Sequence, residues 1–383
     1  MQSWQLPEYI ADILPSSARQ LETAKEQLLA LFRVHGYELV QPPLVEYSDA
    51  LLTQVDEGLS LKTIRVVDQI SGRQLGLRAD ITPQVARIDA HLLSANNGIN
   101  RLCYAGTVLH ARPDGALSTR EPFQIGAELY GYDGVEADIE LIGLMLASLT
   151  RVNVQRPLLA LGHIGVFYAL SHAAGLDTAQ ARELLGLLQD KDSAALRRWL
   201  AAQSLDAEYA RAFALLPDLY GGREIIAAMQ ALPALPKIDK ARETLTAVCA
   251  AFPQADIHID LADLRVDSYH TGLLFAAYHG DWPDAVARGG RYNGLGRHFG
   301  RARPATGFSF DLRDVVSHLP AAASRRGIQV SLADAAAARA EIERLRALGE
   351  CVVVDFHNGS EALPHCDRRL VKQDSGTWLL KPL

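Results

Sequence analysis

Apolar positions recur at helical spacing in three parts of the chain. Residues 16–35 carry one apolar face behind two serines, which is typical of a capped amphipathic helix. The side chains that share this face are Leu21, Ala24, Leu28 and Leu31 or Phe32. Residues 136–151 show the same period, and residues of about 177–252 are rich in Ala, Leu, Gln, Glu and Arg with helical spacing. We therefore predict an opening helix, a second strong helix and a long helical insertion.

Strand-like runs lie between these helices. The run YELV at 37–40 is followed closely by two prolines, and because proline cannot donate into a ladder, we predict a strand at a sheet edge or an interface. Residues 62–79 contain two short β runs around a Ser-Gly turn signal, which predicts a hairpin. Residues 101–110 and 122–132 are separated by a loop rich in Gly, Pro and Asp, which predicts antiparallel pairing.

Further strands are predicted after the helical insertion. The runs ADIHIDLADL at 255–264 and YHTGLLFAAYH at 269–279 have the composition expected of β-strands. Beyond Pro320 the pattern runs strand, helix, strand and hairpin, which is typical of a small α/β unit. We therefore expect a core of residues 1–320 and a C-terminal domain of residues 327–383.

Composition indicates an ordinary globular protein. The 383 residues are 49% hydrophobic and 22% charged, which suffices for a large core. Because the chain has neither a long apolar run nor a leader-like N-terminus, we expect a cytoplasmic protein without membrane contact. A net charge of −7 without a dense Lys and Arg cluster gives no indication of nucleic-acid binding. The four cysteines lie far apart, which argues against a disulfide framework and a zinc site.

A glycine-rich segment, GGRYNGLG at 289–296, invites comparison with phosphate-binding loops. It lacks the Gly-Lys-Ser/Thr end of a P-loop and does not follow a predicted parallel strand. We expect instead a hairpin turn at Asn293-Gly294, with glycines that allow close backbone approach. The chain also lacks Gly-x-Ser-x-Gly and His-Glu-x-x-His patterns. We therefore expect no metal and no cofactor.

The segment LRADITPQVAR at 77–87 is the first of three that could serve one small ligand. Arg78, Asp80 and Thr82 alternate along what we predict to be an extended segment, and Arg87 follows on a helix. Two interpretations remain open at this point. The alternating side chains form either one wall of a polar cleft or an ordinary solvated strand face.

Two further segments supply the other polar candidates. PFQIGAELYG alternates polar and apolar residues, so one face can line a pocket while the other packs in a core. LRVDSYHTGLLF places three polar residues in front of a strand. The candidates in these two segments are Gln124, Gly126, Glu128, Arg265, Tyr269 and His270. Together with Asp80 and Thr82, these acids, amides and phenols suit a small zwitterion.

The order and spacing of these segments resemble the class II aminoacyl-tRNA synthetases, and specifically histidyl-tRNA synthetase, from about residue 7 to about residue 316. PEYIADILP resembles that family's N-terminal signature, and GYELVQPPLVE its dimer-forming motif 1, with Pro43 as the motif proline. LRADITPQVAR resembles its LRPEGT segment, CYAGTVLHARP through FQIGAE its motif 2, LRVDSYHTG its histidine-specific signature, and GGRYNGLG through GFSFDLRD its motif 3. The resemblance implies an α+β fold: an antiparallel sheet flanked by helices, a helical insertion and a small α/β C-terminal domain.

The resemblance also implies a histidine pocket. Asp80 stands where the family has a glutamate near the substrate amine, while His270 replaces a tyrosine and Ser268 an aspartate. Positions identical to the family's pocket residues are Thr82, Gln124, Glu128, Arg265 and Tyr292. The implied histidine-binding residues are Asp80, Thr82, Gln124, Glu128, Arg265, Tyr269, His270 and Tyr292.

At the ATP site the chain departs from the synthetases. Motif 2 of the family supplies an arginine to the α-phosphate and a glutamate two residues later, whereas this chain has His110 and Arg112. Motif 3 has a glycine and an arginine where this chain has Asp311 and Asp314. Because adenylation depends on cations around the transferred phosphorus, we expect no activation chemistry and no catalytic residue. The C-terminal unit is also too short for the family's anticodon-binding domain.

A synthetase-like chain with a histidine pocket but no activation chemistry resembles the regulatory subunits of ATP phosphoribosyltransferase. This resemblance implies a non-catalytic protein required for the first step of histidine biosynthesis, paired with a short-form catalytic subunit. It also implies L-histidine as the allosteric effector of feedback inhibition, and a homodimer within a hetero-oligomer. Two alternatives are a genuine histidyl-tRNA synthetase and a synthetase-like paralogue that senses or activates another amino acid, which His270 and Ser268 would suit.

Overall fold

The chain divides into two compact units, which are described separately. The computed structural model describes residues 4–52, 57–115, 118–263, 270–280, 282–320, 326–357 and 363–383. The first unit comprises Met1–Ile13 with Ala18–Leu319, and the second Leu14–Ser17 with Pro320–Leu383. Within the described ranges, no helix is both long and apolar enough to cross a membrane.

The described part of the chain up to residue 320 contains both helices and strands. The helices are α1 (Pro15–Val34), α2 (Ser48–Leu51), α3 (Glu57–Lys62), α4 (Thr82–Arg87), α5 (Val135–Arg151), α6 (Ile164–Ala173), α7 (Thr178–Gln189), α8 (Ser193–Ala202), α9 (Ala207–Leu215), α10 (Ile225–Ala228), α11 (Pro236–Ala251) and α12 (Leu312–His318). The strands are β1 (Glu38–Leu39), β2 (Val45–Tyr47), β3 (Arg65–Val67), β4 (Gln74–Leu77), β5 (Asn100–Thr107), β6 (Phe123–Tyr130), β7 (Leu158–His163), β8 (Tyr220–Gly221), β9 (Ile257–Asp260), β10 (Leu273–Tyr278), β11 (Ala287–Arg291) and β12 (Ala305–Asp311).

A nine-stranded sheet forms the centre of the first unit, in the order β1-β5-β6-β12-β11-β10-β7-β9-β8. Its neighbours pair antiparallel, except β1 with β5 and β7 with β9. The predicted antiparallel fold is confirmed, and β1 lies at the edge of the sheet, as the following prolines indicated. The predicted hairpin is also confirmed, because β3 and β4 pair antiparallel in a separate sheet with β2.

Helix α1 packs with the face that the apolar period predicted. Its buried side chains are Leu21, Ala24, Leu28, Leu31 and Phe32. Phe32 meets Phe308 of β12 edge to face, with ring centroids 6.1 Å apart. Burial of this stripe is the main stabilising contribution of the helix, since exposed apolar surface is removed from water. Strand β12 is thereby packed against α1 through Phe308.

Residues 177–252 form α7 to α11 together with the short edge strand β8. Helix α7 begins with a capping box, in which the Asp177 side chain accepts from backbone N–H groups of the first turn and the Gln180 side chain bonds back to the Asp177 N–H. Such reciprocal bonds satisfy amides that have no partner within the helix. The helical composition of this stretch is therefore realised as several separate helices, of which α7, α8 and α9 begin with an aspartate side-chain cap.

The extended conformation predicted for LRADIT is wrong. Strand β4 ends at Leu77, and α4 begins at Thr82 with proline in its first turn. The Asp80 carboxylate accepts from the Thr82 N–H at 3.0 Å, which turns the chain into the helix. Arg78 points elsewhere and donates to the carbonyl oxygens of Pro42 (2.7 Å) and Thr107 (2.9 Å). Its role is therefore to hold backbone segments together.

The tight hairpin turn predicted at Asn293-Gly294 is also wrong. Strands β11 and β12 do pair antiparallel, but residues 292–304 connect them through a short 3-10 helix. The Asn293 side chain accepts from the Ala305 N–H at 3.1 Å and donates to Asp133 at 2.8 Å. Through these two hydrogen bonds, the Asn293 side chain stabilises the loop of residues 292–304.

The second unit contains the predicted strand, helix, strand and hairpin. Its elements are β13 (Gly327–Ser331), α13 (Leu332–Ala335), α14 (Arg339–Ala347), β14 (Val352–Asp355), β15 (Cys366–Lys372) and β16 (Trp378–Pro382), with sheet order β14-β13-β15-β16. The single predicted helix is in fact two, because the backbone at Ala338 has ψ near 0° and interrupts the helical run. Ile328, Val330, Ile342 and Leu370 form its own small core.

Candidate functional site

A cleft of about 740 Å³ lies over the central sheet of the first unit. It collects polar residues from parts of the sequence that are far apart. All of the predicted pocket residues within the described ranges line it, namely Asp80, Thr82, Gln124, Glu128, His270 and Tyr292. Arg265 and Tyr269, like Ser268, lie outside the described residues. Its volume is in the usual range for small-molecule sites.

Strand β6 supplies the floor of the cleft because its side chains alternate as predicted. Gln124 and Glu128 face the cleft, while Ile125, Ala127 and Leu129 are buried in the core beneath. The strand lies between β5 and β12, so both of its edges are paired. A floor residue on such a strand is held rigidly by the ladder on either side.

Gln124 is fixed by three hydrogen bonds. Its carbonyl oxygen accepts from the Ile81 N–H at 2.8 Å, which assigns the orientation of the amide. The amide nitrogen then donates to Asp80 at 2.7 Å and to the Ser309 hydroxyl at 3.1 Å. Gln124 thus holds the Asp80 carboxylate at the cleft wall.

Glu128 lies at the bottom of the cleft and is only 1% exposed. Its carboxylate accepts from the Tyr104 hydroxyl at 3.0 Å and from the Tyr292 hydroxyl. The Thr82 hydroxyl lies 3.1 Å from that of Tyr104. Burial raises the pKa of Glu128 to about 8, although the phenol hydrogen bonds oppose the rise. The side chain therefore sits near the boundary between its charged and neutral forms at physiological pH.

Sequence reasoning missed Tyr104. It is fully buried, and its register partner across β5 and β6 is Gly126. A side chain at 126 would lie 2.6 Å from the Tyr104 hydroxyl oxygen, so only glycine lets the phenol lie across β6 and reach Glu128. The only signal was a glycine within a strand, and it becomes informative only when the strand register is known.

His270 forms part of the cleft wall beside Tyr292. The two rings meet edge to face, with centroids 6.3 Å apart. A side chain at Gly290 would lie 2.5 Å from the imidazole carbon Cδ2, so the glycine makes room for the ring. The imidazole of His270 therefore fits beside β11 only because residue 290 is a glycine.

His110 is buried where the resemblance predicted the phosphate-binding arginine. Its Nε2 lies 3.1 Å from the Ala79 carbonyl oxygen and must carry the proton, since a carbonyl can only accept. Its Nδ1 lies 3.5 Å from a carboxylate oxygen of Asp114. The other oxygen of Asp114 is paired with Lys62 at 2.6 Å. The imidazole is thus held by its Nε2 hydrogen bond, while Nδ1 has no hydrogen-bond partner among the described residues.

Asp311 and Asp314 line the same cleft. Asp311 accepts from the backbone N–H groups of Phe123 and Arg313, both at 2.9 Å, and caps helix α12. Burial raises the pKa of both carboxyl groups. The neighbouring Arg313 pairs with neither of these carboxyl groups, because it donates to Glu121 and to the Ala11 carbonyl oxygen. This part of the cleft therefore presents carboxyl groups, and Arg288, which also lines the cleft, is paired with Asp284.

The sequence matches two family models that together span most of the chain. Residues 9–315 match the model described as histidyl-tRNA synthetase. Residues 325–381 match the model described as ATP phosphoribosyltransferase subunit HisZ C-terminal domain. The boundary between the two matches coincides with the division into two structural units.

Solved structures support the same fold. A protein from Bacillus halodurans C, titled an ATP phosphoribosyltransferase regulatory subunit/histidyl-tRNA synthetase, is 27% identical, with a TM-score of 0.84 over 94% of this chain and 95% of its own. A histidyl-tRNA synthetase from Nostoc sp. PCC 7120 is 16% identical, with a TM-score of 0.79 over 100% and 97% of the two chains, and is similar in fold alone.

Named relatives match at full length. The ATP phosphoribosyltransferase regulatory subunit of Neisseria meningitidis serogroup C (strain 053442) is 62% identical over 382 residues, 99% of each chain. The protein of the same name from Chromobacterium violaceum is 54% identical over 100% of each chain. The chain belongs to the family of ATP phosphoribosyltransferase regulatory subunits.

Proposed function

We propose that this chain performs no chemical step of its own and acts on a short-form catalytic subunit of ATP phosphoribosyltransferase, with L-histidine as its allosteric effector. The proposed histidine pocket comprises Asp80, Thr82, Gln124, Glu128, Arg265, Tyr269, His270 and Tyr292. The assembly is a homodimer of this chain within a hetero-oligomer, and the protein acts in the cytoplasm. It serves the first step of histidine biosynthesis and the feedback inhibition of that step.

The observation that carries the histidine pocket is the polar network at the cleft floor. Asp80 and Glu128 offer carboxyl oxygens, and Gln124 holds Asp80 in place at 2.7 Å. A small zwitterion with nitrogen donors matches acceptors of this kind. His270 and Tyr292 add aromatic walls around the same space.

The other end of the cleft supports a non-catalytic role. Transfer of an adenylyl group needs cations around the developing charge, and one such arginine contributes about a thousandfold or more in rate. His110, Asp311 and Asp314 occupy the positions where the resemblance places a phosphate ligand, a glycine and an arginine. Carboxyl groups beside a triphosphate would repel it, so we expect neither ATP binding nor histidine activation.

Calorimetric titration of L-histidine into the protein tests the pocket. We expect histidine to bind the wild type and to bind Glu128→Ala at least tenfold more weakly, roughly 1.4 kcal/mol. The substitution Glu26→Ala on the exposed side of α1 supplies a control that should bind normally. ATP and other amino acids should give no heat of binding.

Two outcomes would contradict this proposal. Histidine-dependent exchange of pyrophosphate into ATP would identify an active synthetase. Tighter binding of a different amino acid would favour a paralogue with altered specificity, which the histidine at position 270 would suit.

Reconstitution tests the regulatory role directly. The short-form catalytic subunit should require this chain for full activity, and histidine should inhibit the mixture. With Glu128→Ala in place of the wild type, activity should remain while inhibition requires far more histidine. Activity that does not depend on this chain would exclude the proposed role.

A further inference from the structure

Glu128 is a buried carboxyl group, and no basic side chain pairs with it among the described residues. Among the described residues, its hydrogen bonds come from the hydroxyl groups of Tyr104, Tyr292 and Thr82, and no Lys or Arg pairs with it. The nearby Asp80 carboxylate opposes its ionisation. Because an uncompensated buried charge is strongly unfavourable, such a group takes up a proton instead. The empty pocket therefore favours the neutral form of Glu128.

The hydroxyl groups around Glu128 can satisfy both of its protonation states. Tyr104 lies 3.0 Å from one carboxyl oxygen and 3.1 Å from the Thr82 hydroxyl, while the Tyr292 hydroxyl lies 3.3 Å from that of Tyr130. Hydroxyl hydrogens rotate freely. When Glu128 is ionised, both phenols donate to it. When it is protonated, it donates to Tyr292, which turns its own hydrogen towards the Tyr130 hydroxyl.

The groups that face Glu128 come from several elements. They are Asp80 before α4, Thr82 in α4, Tyr104 in β5, Tyr130 in β6, His270 before β10 and Tyr292 after β11. From β12 the nearest residue is Gly307, which brings no charge. Behind Tyr130, the Asp89 carboxylate is neutralised by Arg303 at 2.9 Å. Among the described residues that face Glu128, none is a lysine or an arginine, so we expect the compensating positive charge to come from a ligand bound in the cleft.

We propose that Glu128 carries a proton while the pocket is empty and releases it to solvent when a positively charged ligand nitrogen binds beside it. The inference rests on the proposed histidine pocket and specifies what that pocket recognises. The O–H bond of the carboxylic acid breaks, the proton passes to the buffer, and the carboxylate pairs with the ligand cation. The pocket thereby selects a cationic nitrogen and couples its binding to pH.

The direction of the pH dependence follows from this coupling. Burial raises the pKa of Glu128 to about 8, so below that pH the Glu128 carboxyl group is mostly protonated when no ligand is bound. Because the proton must leave on binding, the contribution of Glu128 weakens affinity by about tenfold for each pH unit below its pKa. Above the pKa, this contribution becomes constant.

Calorimetry of L-histidine binding in buffers of different ionisation enthalpy counts the released protons. Near pH 7, wild type should release about one proton more than Glu128→Gln, whose amide cannot ionise. The comparison cancels the titration of histidine itself. Asp314→Asn is the matched control, because Asp314 is another cleft carboxyl with a pKa raised by burial and should leave the count unchanged.

Tyr104→Phe provides a second measurement that does not depend on strong binding by Glu128→Gln. Loss of the phenol hydrogen bond removes an interaction that lowers the Glu128 pKa. Near pH 8.5 the variant should therefore release more protons than the wild type. An unchanged count in this variant would contradict the assignment to Glu128.

The outcomes distinguish this inference from the proposed function. If histidine fails to bind, the proposed function fails. If histidine binds but wild type and Glu128→Gln release equal numbers of protons, only the proton coupling is overturned. Net proton uptake by the wild type would also overturn it, since the ligand would then have entered neutral and taken a proton.

Discussion

At the scale of single residues, Gly307 decides whether Glu128 can occupy the cleft floor. A side chain at this position would lie 1.5 Å from a carboxyl oxygen of Glu128 and 2.9 Å from the Ala127 carbonyl oxygen. The paired strands on both sides leave the backbone no room to withdraw. Even one methyl group must therefore displace Glu128.

The substitution Gly307→Ala should abolish histidine binding and lower the free energy of unfolding by about 1–3 kcal/mol, the usual cost of overpacking. Urea unfolding and calorimetry measure the two effects. Gly186→Ala in α7 is the control, because a side chain there meets nothing within 4 Å. That control should stabilise the protein by up to about 1 kcal/mol. Normal histidine binding by Gly307→Ala would contradict the proposed position of the pocket.

Glu128 should also make stability depend on pH. Its pKa is raised from 4.5 to about 8 in the folded protein, so the folded state binds more protons than the unfolded state between these values. Stability must therefore fall as pH rises through this window. Relative to the wild type, Glu128→Gln should gain several kcal/mol between about pH 5 and about pH 8, as measured by urea unfolding. A parallel pH profile for the two proteins would contradict burial of an unpaired carboxyl, and exposed Glu26→Gln supplies the control.

At the scale of elements, one buried ion pair ties β11 to α5. Arg291 donates to Asp138 through Nε at 3.1 Å and Nη2 at 2.9 Å, and also to the carbonyl oxygen of Gly134 at 2.8 Å. Both partners are almost completely buried. Removal of Asp138 leaves the buried Arg291 charge with only the longer contact to the exposed Asp133 at 3.5 Å, which is costly in an apolar interior.

Asp138→Ala should therefore lower the free energy of unfolding by about 3–5 kcal/mol. Glu341→Ala is the matched control, since it removes the carboxylate of an exposed Arg344–Glu341 pair on α14 and should shift the unfolding midpoint very little. Urea denaturation followed by circular dichroism measures both. Equal midpoints for the two variants would show that the buried pair does not hold β11 against α5.

The capping box of α7 offers a second test at this scale. Asp177→Ala removes the acceptor of two backbone N–H groups at the start of the helix and should cost about 1 kcal/mol. Amide hydrogen exchange should rise mainly within α7. Asp190→Ala at the other end of the helix is the control, because a carboxylate there opposes the helix dipole and its loss should not destabilise. Faster exchange throughout the chain would contradict a local role for the cap.

At the scale of the whole molecule, the proposed regulation requires reciprocity. If histidine weakens substrate binding in the assembled enzyme, substrate must weaken histidine binding by the same factor, typically about 5- to 150-fold. Titration of histidine into the reconstituted complex with and without ATP measures this factor. The isolated chain is the control, and ATP should not change its histidine affinity. An ATP effect on the isolated chain would show that the nucleotide binds the cleft itself.

The chain's local periodicity was sufficient for much of the fold. A repeat of two residues placed Gln124 and Glu128 on one face of β6, and a helical repeat placed Leu28 and Phe32 on the buried face of α1. These predictions succeed because they depend only on neighbours within one element. Two predictions for short segments without such a period failed. At Thr82 a local hydrogen bond to the Asp80 carboxylate turns the chain into a helix, and at Asn293 a hydrogen bond from Ala305 holds a wide loop.

By itself, the sequence determined most of the helices and strands, the polar face of β6 and the family to which the chain belongs. Only the tertiary structure brought Tyr292 to Glu128, across 164 positions of sequence, and placed Tyr104 over Gly126. The same packing removed Glu128 from water and raised its pKa. Register and burial depend on contacts between distant segments, and no local pattern encodes them. The chemistry of the pocket therefore arises from packing, whereas its residue types are already present in the chain.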